Sequence, residues 1–167
     1  MLSDHKNNTD QLLFFLRTYI QIEKKLLAKV KNLSADYCRI CQLKCCKEVY
    51  CRESMESSFL NTLISFQQIQ YDPQYGWLTP HGCQLAYGRP LVCYEFFCSK
   101  ILLDVNFKRF NLLEDIREFI SIGNRIYGNT HLICVENLRL ITPQKLIKIQ
   151  SKMEIFLKKI SSKKSVA

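Results

Sequence analysis

The chain has 167 residues, of which 47% are hydrophobic, with 24 basic and 15 acidic side chains and a formal net charge of +9. That length suits one domain, and a chain of this size buries roughly 70% of its unfolded surface, so it needs no cysteine staples to fold. No apolar stretch approaches the roughly 20 residues of a membrane span. The polar start MLSDHKNNTD lacks the basic, apolar and small-residue order of a secretory signal, so the sequence reads as cytoplasmic.

The charge is unevenly spread. Residues 139–167 hold eight basic groups against Glu154 alone, whereas residues 38–98 hold five of each sign. Nucleic-acid affinity comes mostly from neutralising phosphates, and the neutral middle segment argues against nucleic acid as the partner. The basic C-terminal stretch reads as a solvated helix face ending in a frayed tail, 161–167.

In chain order, residues 10–34 read as a long amphipathic helix, with Leu13, Leu16, Ile20, Leu27 and Val30 at helical spacing. A cysteine-dense segment follows, from Cys38 to Cys51. A helix is predicted over 54–68, with Phe59, Leu60, Leu63, Ile64 and Phe66 as core candidates. Residues 73–90 hold three of the four prolines and three of the five glycines, which is loop chemistry. A helix over 111–127 is predicted to start in a capping box of Asn111 with Glu114 and to end at Gly128 in a left-handed cap. Thr142-Pro143 opens a last helix over 143–160, with Leu146, Ile149, Met153, Phe156 and Ile160 on one face. Ile101–Val105 and Leu132–Ile141 read as short strands or extended connections. Together these elements predict a mostly α fold. It is a single small helical domain spanning 1–167, with helices 10–34 and 143–160 flanking an irregular cysteine-rich metal-binding core over 38–98.

Nine cysteines stand in this chain, eight of them between positions 38 and 98. An odd count forbids full pairing, and the cytosol keeps thiols reduced, so the pattern points to metal rather than to a disulfide framework. The first cluster is Cys38-x2-Cys41-x3-Cys45-Cys46, with Cys51 five residues on. A Cys-x2-Cys pair lets two thiolates from one turn converge on one metal, and iron–sulfur clusters also take four thiolates. The second cluster is Gly82-Cys83, Arg89-Pro90-Leu91-Val92-Cys93 and Cys98. It lacks a Cys-x2-Cys pair of its own, which favours one interleaved site over two independent fingers. Arg89 beside the thiolates can offset their charge, and Pro90 stiffens the approach to Cys93. His81, two residues before Cys83, is a candidate ligand, as is His131 before Cys134; His5 lies in the polar terminus. Trp77 reads as packing over the loop. No Gly-x-Gly-x-x-Gly occurs.

These residues resemble the YkgJ-type cysteine-cluster family, bacterial proteins described as zinc- or iron-chelating or as containing an iron–sulfur cluster. The resemblance covers about residues 38–98. It implies metal-ligand roles for Cys38, Cys41, Cys45, Cys46, Cys83, Cys93 and Cys98, and supporting roles for Arg89 and Pro90. Many members carry a further cysteine shortly before the one matching Cys83. Gly76-Trp77-Leu78-Thr79 stands there, which makes Cys51 and Cys134 candidate replacements. A related cluster occurs in enzymes that methylate flagellin lysines.

The sequence therefore supports a metal-binding protein holding zinc or an iron–sulfur cluster, of the 4Fe-4S type, in one centre built from both clusters. Its role would be accessory, redox or metal-handling, with a protein as a further candidate partner. Two alternatives are a metal-dependent protein-modifying enzyme resembling the lysine methylases, and a zinc-structured module that binds protein or nucleic acid.

Overall fold

A computed structural model describes residues 2–38, 47–79, 82–103, 111–124, 126, 130–138 and 141–162, with side chains from Thr9 onward. The fold is mostly α. Its elements in order are α1 (Leu2–Cys38), α2 (Glu48–Glu56), α3 (Ser58–Ile64), a two-residue hairpin of β1 (Leu78–Thr79) with β2 (Gly82–Cys83), α4 (Val92–Glu95), α5 (Ser99–Leu103) and α6 (Leu112–Ile122). A 3-10 turn (Leu132–Cys134) and α7 (Pro143–Ser162) complete it.

The longest helix, α1, is the spine, and α7 is its main partner; α5 and α6 also pack on it. Its buried stripe is Phe15, Leu16, Tyr19, Ile22, Leu26 and Leu27, repeating every three or four residues. The expected Leu13 falls just off this stripe and is exposed. On α7 the whole predicted face, Leu146, Ile149, Met153, Phe156 and Ile160, is buried. The helix begins at Pro143 as the sequence implied, with the Thr142 carbonyl accepting from the Lys145 and Leu146 amides, both at 3.0 Å. Aromatic rings bind the helices at the centre. Tyr19 meets Phe59 edge-on at 4.8 Å and Phe119 at 5.0 Å, and Phe119 stacks on Phe156 at 6.2 Å. Such pairs add about 0.5–1.5 kcal/mol each beyond the area they bury.

Several predicted boundaries move, each for a local reason. The helix expected over 54–68 is two helices, because Ser57 is extended (φ −74°, ψ 115°). Its hydroxyl accepts from the Leu60 amide at 3.2 Å and donates to the Ile133 carbonyl at 2.5 Å, so Ser57 caps α3 while tying it to the 3-10 turn. α3 ends at Ile64, and Phe66 lies outside it and is exposed. Asn111 does not form the expected capping box. It adopts a left-handed backbone (φ 47°, ψ 25°) with no capping hydrogen bond from its side chain, a conformation that asparagine tolerates better than most residues.

α6 ends at Ile122, well before Gly128, which lies outside the described residues. Gly123 sits against His131, where a Cβ would stand 2.6 Å from Nε2. The Gly123 carbonyl accepts from the Leu132 amide at 2.8 Å, turning the chain back. The segments read as strand or extended connection instead carry helical turns, α5 and Leu132–Cys134. Val105, the tail from 163 onward and the His5 side chain lie outside the described residues.

A second, smaller apolar cluster forms apart from the main core. It consists of Cys51, Ile64, Trp77 and Leu85, with Ile69, Tyr71, Leu78 and Cys83 packed against it.

Candidate metal centre

The small cluster brings the two cysteine segments together. Cys51 lies in the first turns of α2, and its Sγ is 3.9 Å from the Lys47 carbonyl oxygen. Cys83 ends the hairpin, with Leu78 opposite it in register. Both thiols pack into the same apolar cluster, near enough that charge on Cys83 raises the Cys51 pKa. Burial is the largest cause of that rise, and the Trp77 backbone amide, which favours the thiolate, opposes it.

The loop between α3 and the hairpin is rigidly built. Asp72 Oδ1 accepts from the Gln74 and Tyr75 amides, both at 2.8 Å, and Asp72 and Gly76 exchange backbone hydrogen bonds at 3.0 and 2.7 Å. Trp77 is buried, meets Tyr71 edge-on at 5.0 Å, and donates from Nε1 to the Ser54 hydroxyl at 2.8 Å. The tryptophan, read from the sequence as packing over the loop, packs the hairpin onto α2. Gln67 fastens the other side, donating to the Tyr87 carbonyl at 3.0 Å and accepting from the Ala86 amide at 2.9 Å.

The remaining cysteines are more dispersed. Cys38 ends α1 and is exposed; Cys98 directly precedes α5, its carbonyl accepting from the Ile101 amide at 3.0 Å, and packs on the main core. Cys93 lies half-buried in α4. Its amide donates to the Pro90 carbonyl at 3.0 Å, so Arg-Pro-x2-Cys is a tight turn running into a helix. Arg89 donates to the Leu85 carbonyl from Nε at 3.0 Å and Nη2 at 2.6 Å. Its support is therefore to the loop backbone. Cys134 is exposed on the 3-10 turn.

His131 has both ring nitrogens engaged by backbone. Nδ1 accepts from the Ile133 amide at 3.2 Å, which makes Nε2 the donor to the Ile120 carbonyl at 3.1 Å. Burial pushes its pKa below 6.5, and it serves as a neutral cap.

Among the described residues no group of three or more His, Cys, Asp or Glu is placed to hold a metal ion. Cys41, Cys45 and Cys46 of the first cluster lie outside the described residues, as does His81. Cys45 and Cys46 directly precede Lys47, whose carbonyl faces Cys51.

Sequence reasoning missed Glu23. It is fully buried on the apolar face of α1, and its carboxylate accepts from the amides of Gly88 and Arg89 and from the Tyr94 hydroxyl. Burial pushes its pKa up, opposed by these donors and by the Arg89 charge. A signal was present: Glu23 is four residues from Tyr19 and three from Leu26, a charge inside the apolar stripe.

No helix among the described residues is long and apolar enough to cross a membrane. No family model matches the chain, and no curated protein or solved structure matches it significantly.

Proposed function

We propose that the protein holds zinc or an iron–sulfur cluster through two interleaved cysteine clusters, in an accessory, redox or metal-handling role. The observation that carries this reading is the meeting of Cys51 and Cys83, one from each cysteine segment, in one small apolar cluster. Two thiols from distant parts of the chain would supply half of a four-thiolate donor set. Cys45 and Cys46 abut this point in sequence and are the natural completing ligands, with Cys41 and Cys38 upstream and Cys93 and Cys98 on the second arm. When bound, a cluster of this kind supplies one-electron chemistry, whereas zinc supplies structure. A relation to the YkgJ-type family and a reducing, cytoplasmic setting belong to the same reading.

Anaerobic purification followed by absorption spectroscopy and metal analysis tests it. A brown protein with stoichiometric iron and sulfide identifies a cluster; a colourless one with stoichiometric zinc identifies zinc. Protein that carries neither, and takes up neither on reconstitution, defeats the proposal.

A further inference from the structure

Glu23 joins the long helix α1 to the loop that delivers Cys93. Its side chain is 0% exposed. Oε2 accepts from the Gly88 amide at 2.8 Å, and Oε1 accepts from the Arg89 amide at 2.7 Å and the Tyr94 hydroxyl at 2.5 Å. Gly88 has φ +76°, a left-handed conformation that turns two successive amides toward one point, a concavity suited to an anion. A Cβ there would stand 2.8 Å from Ile64 Cγ1, so the turn has no room for another residue.

Behind this turn the guanidinium of Arg89 closes onto the Leu85 carbonyl. Ahead of it, buried Pro90 receives the Cys93 amide, and Leu91 receives the Tyr94 amide at 2.9 Å. Cys93 is therefore bracketed by two fixed points. On one side is the Gly88–Pro90 turn, on the other Tyr94, and one carboxylate holds both.

We infer that Glu23 is the positioning residue of the Cys93 arm, setting where that thiolate stands for the metal. The inference rests on the metal-binding reading above. Replacing one carboxylate oxygen by an amide NH2 sets a donor against the Gly88 amide, or against the Arg89 amide and the Tyr94 hydroxyl, so the turn rearranges and carries Cys93 with it.

The test uses the full chain, loaded anaerobically with ferrous iron and sulfide, or with Co(II) where the purified protein carries zinc. Absorption spectra and the rate of metal release to a chelator are compared across variants. Cys93→Ser is expected to lose thiolate absorption and speed release. Glu23→Gln is expected to move both readouts in the same direction, speeding release roughly 10–100-fold, as for other residues that orient a ligand. Glu23→Asp, which keeps the carboxylate, recovers part of the loss. Lys29→Met breaks a different polar link of α1, to Asp115 at 3.1 Å, and leaves both readouts unchanged. A Glu23→Gln protein with wild-type spectrum and release rate overturns the inference while the metal reading stands. If Glu23→Gln does not fold, Tyr94→Phe decides: several-fold faster release supports the role, and an unchanged rate overturns it. Wild-type protein that takes up no metal, or Cys93→Ser indistinguishable from it, removes the metal reading and this inference together.

Discussion

Gly76 rests against the thiol of Cys51: a side chain at position 76 would begin 2.6 Å from Cys51 Cβ and 2.9 Å from its Sγ. Cys51 thus occupies the space that residue 76 leaves empty, and the hairpin can close over α2 only because it does. Gly76 also has φ +62°, which costs any other residue backbone strain. Gly76→Ala is expected to lower stability by about 1–3 kcal/mol, read as a lower midpoint in urea. It should also make Cys51 react faster with a thiol reagent. Unchanged stability and thiol reactivity would show that the hairpin packs elsewhere.

The ligand set can be read by serine replacement. Cys45→Ser, Cys51→Ser, Cys83→Ser and Cys93→Ser are each expected to lose metal or hold it weakly, because a hydroxyl replaces a thiolate. Stability should drop with them wherever folding is coupled to the metal. Cys134→Ser, on an exposed turn and not a member of the small cluster, is expected to keep full occupancy. Metal stoichiometry and the absorption spectra decide. Metal loss in Cys134→Ser would bring that residue into the site, and full retention in Cys45→Ser and Cys93→Ser would exclude theirs.

His131 makes the fold sensitive to acid. Its folded pKa lies below 6.5 because the ring is buried. Well above pH 6.5 both folded and unfolded rings are neutral, and the residue contributes no pH dependence. As pH falls toward and through 6.5 the unfolded chain takes up the proton first, so stability declines. Urea titrations between pH 8 and pH 5 are expected to show this decline, and His131→Gln should flatten it. An equal slope in the two proteins would assign the acid sensitivity to other groups.

Phe156 anchors α7 to the centre, fully buried and stacked on Phe119. Phe156→Ala is expected to cost about 3–5 kcal/mol through lost burial and a residual cavity. Thermal and urea denaturation would measure it. A loss below about 1 kcal/mol would mean that the core relaxes around the gap.

Much of the framework was legible because helical periodicity is a local property. α7 shows it most plainly: Leu146 to Ile160 predicted the buried face, and Thr142-Pro143 placed the start. Boundaries were less legible where a distant residue intervenes. Ser57 interrupts the predicted helix while bonded to the Ile133 carbonyl, 76 positions away. Gly123 ends α6 against the ring of His131. Asn111 has the right neighbour for a capping box, yet its backbone is left-handed and its side chain makes no cap.

The sequence alone determined the mostly helical class, the faces of α1 and α7, and the crowding of eight cysteines into 38–98, since spacing and composition need no partner to be read. Only the tertiary structure decided which cysteines meet and what holds their arms. Cys51 and Cys83 are 32 positions apart, and Glu23 is 65 positions from Gly88. Such pairings depend on how the chain closes long loops around shared apolar clusters. A buried carboxylate finds its donors, and a thiol finds its neighbour, only after that packing has removed water from both.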